Sequence, residues 1–287
     1  MDRILVPIDL SAHSLAASRL AVHLARAHGA SVTLMHVIEP LEHASIEPSV
    51  GEQMRRDAAA QRERELAEMR RGLRAEDVDV QLVVRGARPD RAILGAIIEL
   101  ETDLVVMGSH GAGEAEFQFG SIAAHVARES ACPVLVVRAE HEDRFPTDGR
   151  FRRPLVAIDY SPFSVPAAHW AARLAAPHAT IEMIHIHVAP PIEGHEIDLS
   201  RARDAELQRL ADLAESIDLG PLRITFRSEL GHVANQLLAF VATAKIDLVV
   251  VGAHGRDEAS PVIGTVADRV LRGSTAPVLL LPDAAVR

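Results

Sequence analysis

Two stretches of the chain place glycines, hydroxyls and aspartates where they can meet. Residues 108–121 read GSHGAGEAEFQFGS and residues 252–265 read GAHGRDEASPVIGT. In each, Gly108 and Gly111, or Gly252 and Gly255, follow an apolar run, and a later glycine (Gly120, Gly264) precedes a hydroxyl (Ser121, Thr265) at a predicted helix start. Glycine admits positive φ and close backbone approach. A helix N-terminus offers unpaired N–H groups and a partial positive charge that suit an anion. Asp9 and Asp159 end the first apolar run of each half, in RILVPID and RPLVAID. A carboxylate there accepts hydrogen bonds from a ribose or a purine edge, and it equally caps the helix that follows. Together the three parts suit a nucleotide, whereas the glycines alone are as well explained by a tight turn. The pattern is neither a P-loop, for no Gly-Lys-Ser/Thr occurs, nor a dinucleotide fingerprint, because it follows the fourth predicted strand and not the first.

Other reactive residue types read as structural. His110 and His254 lie inside the glycine turns, without a carboxylate at fixed spacing to make a general base. His185 and His187 alternate on a strand and so share a face, but His36 holds the first-half position of His185. The expectation is a satisfied structural histidine and no metal. Cys132 precedes Pro133 where the second half has Ala276, which reads as a small packing position. The segment MRRDAAAQRERELAEMRRGLR alternates charge at helical spacing, the mark of a solvated face more than of a partner helix. No catalytic constellation assembles, so no enzyme activity beyond slow ATP hydrolysis is expected. A hydrolase or transferase would need a nucleophile and base in one pocket.

The elements that must position these residues occur twice. RILVPIDLSAHS (3–14) matches RPLVAIDYSPFS (153–164), DLVVMGSHG (103–111) matches DLVVVGAHG (247–255), and GSIAAHVARESACPVLVV (120–137) matches GTVADRVLRGSTAPVLLL (264–281). This is a tandem duplication. The charged, turn-rich RAEHEDRFPTDGR (138–150) reads as the connection, giving a first domain over 1–140, a linker over 141–151 and a second domain over 152–287. Within each half, short continuous apolar runs predict strands buried on both faces and alternate with helical periodicity. Ser11 is placed as an N-cap and Gly29 as a helix stop. Ser161 followed by Pro162 predicts a helix whose first position is the proline. A long charged helix is expected from Glu52 to Arg74. Right-handed crossovers then give a parallel, doubly wound α/β sheet in each half, with the candidate residues at the carboxyl ends of its strands, where such sheets bind ligands.

Composition narrows the partners. The 287 residues are 48% hydrophobic but only 3% aromatic, so the cores are aliphatic. With 40 acidic against 30 basic residues the net charge is −10, which argues against a nucleic-acid partner. One cysteine allows no disulfide framework and fits a reducing compartment. MDRILVPID lacks the length and cleavage site of a signal peptide, and no apolar stretch approaches the roughly 20 residues that span a bilayer. A cytoplasmic, non-membrane protein is expected.

RILVPID, LMHV, DLVVMGSHG, the Gly-Ser pair and CPVLVV, in this order, resemble a universal stress protein domain, and the whole chain resembles the tandem form. The resemblance implies two flavodoxin-like domains of the adenine nucleotide α-hydrolase type, each with a five-stranded parallel sheet. In one subset of the family it also implies ATP binding. There the backbone at Val37 and Ile186, with Asp9 and Asp159, faces adenine. Gly108, Gly111, Gly120 and Ser121, and Gly252, Gly255, Gly264 and Thr265, hold ribose and phosphates, with Mg²⁺ alongside; AMP, ADP or a cyclic nucleotide would share the adenine and ribose contacts. The ATP-binding pattern carries nine residues between the second glycine and the Gly-Ser/Thr pair, whereas 112–119 and 256–263 hold eight each. Glu114 and Glu116 would repel a triphosphate. In the second half Arg256 follows Gly255 beside His254 and is the better phosphate partner, so the second site is favoured. The alternative is an interaction protein with degenerate pockets and no nucleotide. The resemblance also implies antiparallel pairing of the last strands, hence a pseudo-dimer within one chain and a possible homodimer.

Overall fold

In the computed structural model, residues 1–39, 60–62, 64–69, 71–73, 77–111, 119–187, 199–255 and 263–285 are described. The first half comprises β1 (Arg3–Ile8), α1 (Ala12–His28), β2 (Ser31–Ile38), β3 (Val80–Gly86), α2 (Pro89–Glu99), β4 (Leu104–Gly108), α3 (Ser121–Glu129) and β5 (Val134–Val137). The second repeats the order with β6 (Pro154–Ala157), α4 (Ser164–Leu174), β7 (Thr180–His187), α5 (Leu199–Glu215), β8 (Arg223–Leu230), α6 (Val233–Thr243), β9 (Leu248–Gly252), α7 (Thr265–Gly273) and β10 (Val278–Leu281). Of the long charged helix expected over Glu52–Arg74, residues 60–62, 64–69 and 71–73 are helical, and the rest lies outside the described residues.

Local signals act as their chemistry dictates. Ser11 caps α1, its side chain accepting from the Ser14 N–H, and Gly29 closes the helix at φ 66°. α4 differs from the expectation: it begins at Ser164, two residues after Pro162. The cause is Asp159, whose Oδ1 accepts from Ser161 N (2.9 Å) and Ser164 Oγ (3.2 Å) and holds 161–163 in a turn before the helix starts. Asp103 and Asp247 fix register at the other end of the sheet. The Asp103 carboxylate accepts from the N–H groups of Asp2 (2.5 Å) and Arg3 (3.0 Å), and that of Asp247 from Arg152 (2.5 Å) and Arg153 (2.9 Å).

Within each half every strand pair is parallel. The two expected five-stranded sheets are one sheet of ten strands, in the order β3-β2-β1-β4-β5-β10-β9-β6-β7-β8. β5 and β10 join antiparallel, with Val136 opposite Val278 and Leu135 opposite Leu279. These edge strands are wholly buried, and pairing satisfies backbone groups that an open edge would leave bare. Alternate residues feed two apolar layers that run through both halves. Ile4, Val6 and Ile8 join one layer with Leu20, Leu34 and Met183, while Leu5 joins the other with Met35, Val105 and Val134.

The connection is bound at both ends. Ala139–Arg144 forms a 3₁₀ helix. Arg138 donates to the carbonyl oxygens of Leu271 (3.3 Å) and Arg272, His141 Nε2 to Ser274 O (3.1 Å), and Arg144 to Thr275 O (2.9 Å). Arg150 donates back to Ala27 O (2.7 Å). Among the described residues no helix is long and apolar enough to cross a membrane.

Candidate functional site

The candidate residues converge at the carboxyl ends of the strands, once in each half. Asp9 follows β1 and accepts from Ser11 N (3.0 Å) through Oδ1, so both aspartates turn the chain into the first helix. Their second oxygens face the glycine turn. A Cβ added at Gly111 would stand 2.8 Å from Asp9 Oδ2, and one at Gly255 would stand 3.4 Å from Asp159 Oδ2. A side chain at 111 would thus displace the carboxylate.

Gly108 and Gly252 have a different neighbour. A Cβ at Gly108 would lie 2.9 Å from His13 Cβ and 3.0 Å from Ser14 N, and one at Gly252 2.7 Å from Phe163 Cβ and Cγ. Neither has positive φ. These glycines admit the start of the first helix of each half against the sheet.

Gly120 and Gly264 are the N-caps of α3 and α7. Their own N–H groups are spent on Ser109 O and Ala253 O, each at 2.8 Å. Neither cap supplies a side-chain acceptor, so the first-turn donors beyond Ser121 and Thr265 gain no capping bond from it. Ser121 and Thr265 are exposed, while Val37 is half-buried near the end of β2 and Ile186 is buried near the end of β7. Arg256, Glu114 and Glu116 lie outside the described residues.

The turn histidines are tethered differently in the two halves. His110 Nδ1 is 2.9 Å from Ser109 Oγ, and its ring packs 3.9 Å from that of His13. His254 Nδ1 is 2.8 Å from Asp283 Oδ1, which ties the second turn to the C-terminal 3₁₀ turn. His36 and His185 make the same bond in the two halves: each Nδ1–H donates at 2.7 Å to a carbonyl at the end of the first strand, Ile8 O, or just beyond it, Ile158 O. Burial pushes the Cys132 thiol up to about 11, so it stays protonated, with Ser130 Oγ 3.6 Å from its sulfur.

The halves diverge beside the helix starts. In the second, a cavity of about 430 Å³ opens between the N-termini of α6 and α7, lined by Gly231, Val233, Thr265 and Arg269 among others. Arg269 stands one helical turn beyond Thr265 and makes no ion pair among the described residues. The matching first-half residue is His125, whose Nε2 lies 3.7 Å from Asp90 Oδ2 while Arg128 reaches its Nδ1 at 2.9 Å. Asp90, in the first turn of α2, corresponds to Ala234. In the first half Asp90 is also paired with Arg88 at 3.0 Å, so His125 and Asp90 are both engaged, whereas in the second Arg269 lies beside Ala234 with no carboxylate among the described residues that line the cavity. Arg269 was not singled out from sequence; its spacing of four from Thr265 in GTVADR was the available signal.

A duplicated doubly wound α/β unit with an aspartate, a glycine turn and a glycine-capped helix at the strand ends defines a class of tandem α/β protein. The chain belongs to the universal stress protein family, whose model matches residues 1–138 and again 150–282. A universal stress protein of Mycolicibacterium smegmatis is 30% identical over 299 residues, covering 97% of this chain and 96% of its own length. One from Thermus aquaticus is 39% identical over 137 residues, 47% of this chain and 97% of the relative. A universal stress protein structure from Archaeoglobus fulgidus superposes with a TM-score of 0.72 over 98% of this chain and 96% of that one; at 21% identity it supports the fold.

Proposed function

We propose that this universal stress protein binds an adenine nucleotide, ATP in the first instance, in its second half, and acts as a cytoplasmic stress or signalling module. The observation that carries this reading is the paired asymmetry at the helix starts. The second half sets Arg269 and Ala234 beside a cavity with Thr265, where the first half has an engaged His125 and Asp90 beside Ser121. Asp159 and the backbone of Ile186 would meet adenine and ribose. Gly255, Gly264 and Thr265 would meet ribose and phosphates, with Arg256 and His254 flanking and Mg²⁺ accompanying the phosphates. A cation at an anion-binding helix end adds its own charge-assisted contact to those of the backbone N–H groups. AMP, ADP or a cyclic nucleotide would use the same adenine and ribose contacts.

Asp9, Val37, Gly108, Gly111, Gly120 and Ser121 would form the weaker or vacated counterpart, and the alternative reading, a pocket turned to interaction, applies there first. The two domains, 1–140 and 152–287 about a linker at 141–151, would work as an intrachain pseudo-dimer through β5 and β10, with a homodimer open to test. Calorimetric titration of nucleotide-stripped protein with ATP and magnesium tests the reading: one site per chain is expected, and two equal sites would overturn the assignment to the second half.

A further inference from the structure

We propose that the second half also carries a metal site, built from His185, His187 and Glu206, that takes a first-row divalent transition ion of the zinc type. One ligand atom from each of the three lies within 4.8 Å of the others. His187 Nε2 and Glu206 Oε2 are 3.7 Å apart, and the two imidazoles meet edge-on with centroids 4.5 Å apart. A tetrahedral zinc ion with nitrogen and oxygen ligands at about 2.0–2.1 Å needs its donors about 3.3 Å apart. The half-exposed His187 ring, 37% accessible, has room to close the difference.

The supporting contacts are those that metal ligands require. The Ile158 carbonyl can only accept, so His185 carries its proton on Nδ1 and keeps the lone pair on Nε2. The Tyr160 hydroxyl donates to Glu206 Oε1 and orients the carboxylate. Oε2 then faces His187, with Arg209 at 4.0 Å as its other charged neighbour. The Arg209 guanidinium lies 3.7 Å over the Tyr160 ring. His187 Nε2 is buried and has no hydrogen-bond partner among the described residues, an arrangement that costs free energy unless something binds it.

The duplication supplies an internal comparison. His36 keeps the carbonyl bond of His185, so that bond belongs to the fold. The positions of His187 and Tyr160 are Ile38 and Leu10 in the first half, which has neither the second imidazole nor the hydroxyl. Two imidazoles and one carboxylate suit zinc-type ions and not calcium or magnesium, which take oxygen donors. Three protein ligands leave a fourth position for water. The site stands independently of nucleotide binding.

The test uses the full, untagged chain, freed of metal by chelation. Zn²⁺ is titrated against a chromophoric competitor and Co²⁺ is followed by its visible absorption, in wild type, His187→Ile and Glu206→Gln. His187→Ile installs the first half's own residue at a half-exposed position. The expected result is one ion that both substitutions weaken at least tenfold, a cobalt spectrum of four-coordinate intensity, and a zinc-dependent rise in thermal midpoint in wild type alone. Zinc titrations of wild type and His187→Ile that superimpose would overturn the proposal, whatever number of ions the other histidines collect.

Discussion

Phe163 stands against Gly252: a Cβ at the glycine would lie 2.7 Å from both Cβ and Cγ of the phenylalanine. The glycine that opens the second glycine turn is therefore a packing requirement of α4. Gly252→Ala should destabilise the protein by about 1–3 kcal/mol through overpacking, measured by urea denaturation. Gly255→Ala, 3.4 Å from Asp159 Oδ2, should cost clearly less.

Arg269 and His125 occupy matching positions on α7 and α3 but differ in what surrounds them. Arg269→Ala should weaken ATP binding roughly tenfold, about 1.4 kcal/mol, by removing a charge-assisted contact, and should leave adenosine binding unchanged. His125→Ala should alter neither. Comparing ATP and adenosine titrations of both variants checks this.

Asp159 Oδ1 accepts two local bonds, from Ser161 N and Ser164 Oγ. Asp159→Ala should cost about 1–2 kcal/mol of stability, the scale of a lost cap, and should also weaken adenosine binding. A purely structural aspartate would show the first effect without the second once folded protein is titrated.

His141 should make the junction between the halves acid-sensitive. Its Nε2–H donates to Ser274 O, and its Nδ1 accepts from Arg138 N at 3.3 Å, a bond that only the neutral ring can make. Burial, with the Arg138 charge adding to it, lowers its pKa from 6.5 to about 4. The unfolded chain then binds more protons than the folded one between those values, so stability is full above pH 6.5 and falls as pH drops toward 4. His28, lowered to about 4 by burial and by Arg150, acts in the same direction. His141→Gln should flatten the pH dependence of the denaturation midpoint over this window.

Much of the architecture was legible because it is local. The short apolar runs, Ser11, Gly29 and the repeat itself specify strands, caps and duplication without reference to distant residues. What was not legible depends on tertiary contact. Nothing in SPFS shows that Asp159 reaches forward to Ser164 and delays α4. Nothing in LVVVG shows that Phe163 lies against Gly252. The union of two sheets into one depends on β5 meeting β10 across the connection, and Glu206 reaches the histidine pair only because α5 packs beside β7. Composition and spacing located the aspartate, glycines and hydroxyls of the candidate site, while Arg269 emerged from the fold.

The most direct test of nucleotide binding in the second half is calorimetric titration of nucleotide-stripped protein with ATP and magnesium, run in parallel on Gly120→Val and Gly264→Val after their folding is verified. The prediction is a single saturable site in wild type and in Gly120→Val, lost in Gly264→Val. Absence of binding to wild type at millimolar ATP, or loss through Gly120→Val alone, would contradict it.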